Sequence, residues 1–215
     1  MSLSPDQFVK AARLPSNIPN MEFGNWRLDR FNSALSSNNG QYNDFACLRK
    51  YVKPKDVSYE NMHRVDEDGM IWDVVMEDSL GELRKHLPIW MIAKGHVLKT
   101  GLGLGCVVRG LLIKPDVTRI TVVEIDPDVA ERLGEQFQNN PRVEIVVADA
   151  LDFDYQSIQP INYAWHDIWV PENKGLQTMH AKLMQAVGES VPQGAWDMSR
   201  SFKRLFRERW SGYIG

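Results

Sequence analysis

The sequence predicts an α/β fold in which a parallel β-sheet carries helices on both of its faces. From residue 95 onward, four short apolar runs alternate with segments whose apolar residues recur at helical spacing. The first run leads into the glycine-rich turn 101–105, and each later run ends in polar residues. Because strands that alternate with helices pair in parallel, these observations together predict a doubly covered sheet.

Two segments precede the alternating region. Residues 1–44 are rich in Pro, Ser and Asn, and they predict an irregular N-terminal arm. Its aromatic side chains favour an arm docked on the domain over the competing interpretation, a flexible tail. Residues 45–94 hold strand-like runs followed by a helical stripe that Pro88 interrupts, which predicts a small β-hairpin region and a linking helix.

The alternating region, residues 95–190, is predicted to be a Rossmann-like core that binds a cofactor. Asp126 and Pro127 form a helix start, since aspartate caps a helix well and proline fits its first position. Pro115 and Gly188 end helices. The predicted strands are 97–100, 119–125, 143–148 and 161–167, and the predicted helices are 106–114, 127–140 and 172–187.

Residues 191–215 predict a C-terminal amphipathic helix. Between positions 199 and 210, aromatic and leucine side chains alternate at helical spacing with basic residues on the opposite side. A docked helix with a solvated basic face is the simpler interpretation. Contact with nucleic acid or with an acidic partner is the alternative.

The overall composition is that of a globular chain. Of 215 residues, 43% are hydrophobic and 25% are charged, and the net charge of −3 does not favour nucleic acid as a partner. No apolar run has the length of a membrane span or the features of a signal peptide, so we expect a cytoplasmic protein without a membrane partner. The histidines and cysteines show no spacing of metal ligands.

Candidate binding residues follow from the rule that open α/β sheets bind ligands beyond the carboxyl ends of their strands. A glycine turn can approach a ligand closely, because glycine adopts positive φ and has no Cβ. An acidic residue about twenty residues further on suits the hydroxyls of a ribose. The strand ends contribute Gly101, Gly103, Gly105, Glu124, Ile125, Asp126, Asp149, Ala150, His166 and Asp167.

Two common nucleotide motifs are disfavoured. A dinucleotide fingerprint requires a third glycine at position 106, where this chain has Cys106. A P-loop requires Lys and then Ser or Thr after the last glycine, and Cys106 and Val107 stand there instead. A dehydrogenase that uses NAD is therefore a distant alternative.

The segment from Val97 to Asp167 resembles the cofactor-binding half of the class I S-adenosylmethionine-dependent methyltransferases. Within them it is most similar to the spermidine-synthase-like branch, through residues 123–127 and 149–151. The resemblance implies a Rossmann-like fold of the class I methyltransferase type. It also implies S-adenosylmethionine as a small-molecule cofactor.

The resemblance assigns roles to single residues. The glycine turn would approach the methionine part of the cofactor, Glu124 would hold the ribose hydroxyls, and Asp149 would bind the adenine amino group. Asp167 would lie at the reaction centre, where it or His166 could act as a base. Trp169 could stack on adenine, although it and His166 could equally be packed residues. The cofactor-binding residues would be Gly101, Leu102, Gly103, Gly105, Glu124, Ile125, Asp149, Ala150, Asp167 and Trp169.

The chain departs from the family pattern in three respects. Leu104 and Val170 stand where aminopropyltransferases carry aspartates that hold a polyamine, so aminopropyl transfer is not expected. Most class I methyltransferases have an acidic residue near the position of Lys99, and this chain lacks it. The C-terminal part is shorter than usual, so the N-terminal hairpin, the terminal helix or the second subunit of a homodimer is needed to cover the sheet edge.

These observations predict an S-adenosylmethionine-dependent methyltransferase that acts on an unidentified acceptor. Methyl transfer is an in-line displacement, so the protein would mainly align the donor with the acceptor. The alternative is a non-catalytic cofactor-binding or scaffold protein that has kept the fold.

Overall fold

The computed structural model describes residues 3–33, 43–53, 63–65, 69–168 and 175–196. These residues form two five-stranded sheets. The helices are α1 (Pro5–Ala12), α2 (Leu80–Arg84), α3 (Leu87–Ile92), α4 (Cys106–Leu112), α5 (Pro127–Gly134) and α6 (Leu176–Val187). The strands are β1 (Met21–Phe23), β2 (Trp26–Ser33), β3 (Asn43–Val52), β4 (His63–Val65), β5 (Ile71–Glu77), β6 (Gly95–Thr100), β7 (Val117–Glu124), β8 (Val143–Val147), β9 (Tyr163–His166) and β10 (Gln193–Ala195).

The second sheet is parallel and has the strand order β10-β9-β6-β7-β8. Numbered within this sheet, the order is 3-2-1-4-5, which is that of a Rossmann-like fold. Val97 and Leu98 are consecutive on β6 yet belong to different apolar clusters, because successive side chains of a strand point to opposite faces. Helices α4 and α5 contribute to one cluster and α6 to the other, so the predicted α/β fold with helices on both faces is confirmed.

One strand of the parallel sheet was not predicted. Strand β10 pairs in parallel with β9, outside the four strands expected from the sequence. Its three residues include no β-branched side chain, and it is held by tertiary contacts of Gln193. The Gln193 amide nitrogen donates to the carbonyl oxygens of Met184 and Gly188 at 2.9 and 2.8 Å. The strand therefore depends on the end of α6 rather than on its own propensity.

The N-terminal residues are more regular than the predicted irregular arm. Helix α1 begins at a capping box in which Ser4 and Gln7 bond each other's backbone N–H groups. Strands β1 and β2 join β3, β5 and β4 in an antiparallel sheet, which extends the predicted hairpin region. The prediction was wrong because Phe8 and Trp26 anchor these elements in the core, a long-range effect that local composition does not report.

Several predicted features lie outside the described residues. They are the amphipathic helix at 199–210, the side chain of Trp169, and Val170. Among the residues that the structure describes, no helix combines the length and the apolar character needed to cross a membrane.

Candidate functional site at the carboxyl edge of the parallel sheet

The glycine turn adopts the backbone conformation that its sequence predicts. Gly101, Gly103 and Gly105 have φ angles of +78°, +55° and +79°. A Cβ on Gly101 would lie 2.2 Å from the carbonyl oxygen of Asp167, which is a backbone atom and cannot move aside. The turn therefore packs directly against the end of β9, and position 101 tolerates only glycine.

The N–H groups of the turn are largely used within the chain. Gly101 donates to the carbonyl of Val123 at 2.8 Å, and Leu102 donates to Glu124 Oε2 at 2.6 Å. Leu104 donates to the thioether sulfur of Met76 at 3.2 Å. These three N–H groups of the turn are therefore already paired within the chain.

Glu124 is a fixed carboxylate at the end of β7. Its side chain is buried, and its two oxygens accept the N–H groups of Leu102 at 2.6 Å and Asp126 at 2.9 Å. A carboxylate has about four acceptor positions. Acceptor capacity therefore remains on both oxygens, and their orientation is set by the backbone.

The ends of β7 and β8, which we call the β7–β8 half of the edge, are open to solvent. Ile125 is 63% exposed and Leu151 is 39% exposed. Asp149 is exposed as well, and its Oδ1 accepts the N–H of Leu151 at 2.8 Å. Ala150 is buried, and its carbonyl accepts the Tyr155 hydroxyl at 2.6 Å.

The ends of β6 and β9, the β6–β9 half, are closed by an ion pair. Lys99 is 1% exposed, and its Nζ lies 3.2 Å from Asp167 Oδ2. The same ammonium donates to the carbonyl oxygens of Thr100 at 2.9 Å and Gly101 at 2.6 Å. Burial opposes the charge of Asp167, but Lys99 and His86 outweigh it, so the pKa of Asp167 is lowered. Asp167 is consequently an ionised, paired group.

His166 is a structural residue of the core. It is fully buried, and its Nδ1 and Nε2 lie 3.1 Å from Thr100 Oγ1 and 3.1 Å from Gln193 Oε1. Burial lowers its pKa to about 3. Both ring nitrogens are engaged in joining β6, β9 and β10. This geometry is that of a packed histidine, and the role of His166 as a base stays a prediction.

Sequence reasoning missed several groups that lie at this edge. Met76 reaches the glycine turn from the other sheet, and nothing in its local sequence indicates this. His86 is buried and bonded to Trp165 Nε1 at 3.2 Å. His180 is buried with neither ring nitrogen bonded to another described residue. The one signal in the sequence was Lys99, because a charged residue within an apolar strand indicates a buried charge that needs a partner.

The described residues hold no group of three or more His, Cys, Asp or Glu side chains that could bind a metal ion. A cavity of about 440 Å³ is lined by residues of α5 and β8 such as Ala130, Arg132 and Ile145, and its lining includes none of the predicted binding residues. We place the candidate site at the strand ends nonetheless, because the turn, Glu124 and the exposed apolar residues converge there.

Comparisons with known proteins are informative at the level of solved structures. No family model and no curated protein matches the chain. The N-terminal domain of EvdMO1 with SAH bound aligns with 34% of this chain and 31% of that domain, at 17% identity and a TM-score of 0.31. The chain thus spans about a third of that structure.

Two further structures align over more of the chain. Spermidine synthase from Thermotoga maritima aligns with 90% of this chain and 70% of that one, at 13% identity and a TM-score of 0.47. The fibrillarin pre-rRNA processing protein of Methanococcus jannaschii aligns with 82% and 74%, at 12% identity and a TM-score of 0.42.

Proposed function

We propose that the chain binds S-adenosylmethionine at the carboxyl edge of the parallel sheet and transfers its methyl group to an acceptor that is not identified. The observation that carries the proposal is the fixed carboxylate of Glu124, which is bonded to the glycine turn at 2.6 Å. Both of its oxygens keep acceptor capacity for the two hydroxyls of a ribose. The strand order supports this location, because ligands of such sheets bind where the order reverses, beside β6.

The adenine would lie in the β7–β8 half. Ile125 and Leu151 present exposed apolar surface that a flat base would cover. Covering such surface is favourable by about 25 cal/mol per Å². The Asp149 carboxylate next to them can accept hydrogen bonds from the amino group of the base.

In this proposal Asp167 positions groups rather than moving protons. Its carboxylate is paired with Lys99 at 3.2 Å and its pKa is lowered, burial being outweighed by Lys99 and His86. A weak base of this kind suits an acceptor that reaches the site with its lone pair already available. Catalysis would then come mainly from alignment of the donor and the acceptor.

Calorimetric titration of the full chain with S-adenosylmethionine tests the binding step. We expect Glu124→Gln to weaken binding at least about tenfold, because it removes one charged acceptor from the ribose. Glu144→Gln is the control, since Glu144 is an exposed residue of β8 paired with Arg119. No binding to the wild-type chain at millimolar ligand would refute the proposal.

The reaction is tested by screening for release of S-adenosylhomocysteine. The acceptors should include nucleic acids, proteins and small molecules, with heat-treated chain as the blank. Release with one of these classes supports methyl transfer and identifies the acceptor class.

A second candidate function is binding of the cofactor without methyl transfer. It is favoured by the β6–β9 half, where Lys99 and Asp167 are paired and both ring nitrogens of His166 are engaged. Measurable binding together with silence across all three acceptor classes would support this candidate over the first.

A further inference from the structure

The part of the edge that would receive the methionine moiety is occupied by two of the chain's own side chains. The first is Lys99, whose ammonium meets four acceptors. They are the carbonyl oxygens of Thr100, Gly101 and Asp167, at 2.9, 2.6 and 3.4 Å, and the Asp167 carboxylate at 3.2 Å. An amino-acid ligand brings an ammonium of its own, and these acceptors would be the natural partners for it. Here Lys99 supplies that cation from within the chain.

The second side chain is Met76 of β5, which comes from the antiparallel sheet. Its sulfur accepts the N–H of Leu104 at 3.2 Å, so one donor of the glycine turn is used. The sulfur also lies over Gly103, so closely that a Cβ there would collide with it. A thioether of the chain thus rests on the turn where the ligand's sulfur and carbon chain would pass.

Two further donors of the turn are also engaged. Leu102 donates to Glu124 and Gly101 donates to Val123, at 2.6 and 2.8 Å. A ligand carboxylate that approaches either of these donors would therefore have to displace an existing hydrogen bond. Leaving a buried polar or charged group without a partner is unfavourable. By contrast, Asp149 and the apolar surface of the β7–β8 half are exposed, and the buried Glu124 keeps acceptor capacity on both oxygens.

We infer that the site prefers adenine nucleosides that lack the amino-acid group, such as adenosine or 5′-methylthioadenosine, over S-adenosylmethionine and S-adenosylhomocysteine. The inference rests on the proposed adenosyl site and deepens it. The nucleoside uses the open half, whereas the amino-acid group competes with Lys99 and Met76. A preference of this kind favours the second candidate function, binding without methyl transfer.

The test is calorimetric titration of the full chain with these four compounds. We expect 5′-methylthioadenosine to bind at least about tenfold more tightly than S-adenosylmethionine, the loss that one displaced buried hydrogen bond would cause. Equal or tighter binding of S-adenosylmethionine would overturn the inference and leave the adenosyl site standing. Silence towards all four compounds would overturn both.

A pair of variants ties the preference to its cause. Lys99→Met keeps the apolar stem but frees the acceptors at Gly101 and Asp167, so affinity for S-adenosylmethionine should rise about tenfold or more while that for 5′-methylthioadenosine stays within about twofold. Lys114→Met is the matched control, because Lys114 is also buried and donates to a carbonyl, that of Trp90, at 3.1 Å. Lys114→Met should leave the ratio of the affinities for 5′-methylthioadenosine and S-adenosylmethionine unchanged. A Lys99→Met chain with the wild-type ratio would contradict the inference, and the wild-type ranking decides the matter if that variant does not fold.

Discussion

The two halves of the carboxyl edge use the same kinds of residue in opposite ways. In the β7–β8 half, Glu124 and Asp149 are anchored by backbone N–H groups, and apolar side chains beside them are exposed. In the β6–β9 half, the charges of Lys99 and Asp167 satisfy each other and the strand-end carbonyls. The β7–β8 half keeps hydrogen-bonding groups that a ligand could use. In the β6–β9 half most of these groups are already paired within the chain.

This difference shows that a polar residue at a strand end is not by itself a binding residue. What matters is whether its hydrogen-bonding groups are already paired. His166 is the clearest case, because it ends a strand as Glu124 does, yet both of its ring nitrogens bond other side chains. The predictions below separate the two halves by stability and by ligand affinity.

The largest effect on stability is expected from Gly101→Ala in the β6–β9 half. The substitution imposes positive φ on alanine and drives its Cβ into the Asp167 carbonyl, so unfolding free energy should fall by about 3–4 kcal/mol. Gly175→Ala is the control, since Gly175 has a φ of +79° and no described atom within 4 Å of an added Cβ. It should cost about 1 kcal/mol. Urea denaturation measures the unfolding free energies of both variants. Equal losses would contradict the close packing of Gly101 against the Asp167 carbonyl.

The next effect is expected from Asp167→Asn. It leaves the Lys99 ammonium buried without its counter-charge, which should destabilise the chain by about 3 kcal/mol. Arg119 and Glu144 form the matching exposed pair at 2.7 Å, and Glu144→Gln should cost less than about 1 kcal/mol. If both variants unfold at the wild-type urea concentration, the ion pair contributes nothing to stability.

A pH effect follows from the buried histidines near the closed half. Burial lowers the pKa of His180 from 6.5 to about 4, and His86 and His166 are lowered to about 4 and about 3. Below pH 6.5 these histidines bind protons in the unfolded chain but not in the folded chain. Their contribution to stability is therefore constant above pH 6.5 and is lost as pH decreases towards 4. Each histidine adds at most about 1.4 kcal/mol per pH unit to the slope.

His180→Leu should reduce that slope by about one such contribution. Urea midpoints measured at several pH values between 4 and 7 give the slope for both chains. A variant that keeps the full wild-type slope would show that His180 takes up its proton in the folded state.

The smallest effect on stability is expected in the β7–β8 half. Ile125→Ser should change unfolding free energy by less than about 0.5 kcal/mol, since the side chain is 63% exposed. It should nevertheless weaken adenosine binding about fivefold, because apolar contact with the base is lost. Ile92→Ser on α3, which is 43% exposed, is the control and should leave affinity unchanged. Identical affinities in the two variants would place the base elsewhere.

Much of the parallel sheet could be predicted because its signals are local. The cap at Asp126, the proline at 127 and the glycines of the turn act within a few residues, and the structure has the helix and turn that they indicate. Strand β10 and the N-terminal elements could not be predicted in this way. Gln193 and Trp26 stabilise them through His166 and Asp126, which lie 27 and 100 residues away in the chain.

The sequence by itself determined the doubly covered parallel sheet, the conformation of the glycine turn and, to within one residue, where four of the five strands of that sheet end. Periodicity and positive φ are properties of short segments, so local reasoning reaches them. Only the tertiary structure decided which strand-end groups keep hydrogen-bonding capacity. Lys99 meets Asp167, and Met76 meets the turn, across long stretches of chain. Pairing of polar groups depends on distances in space, and those are set when the two sheets and their helices pack together.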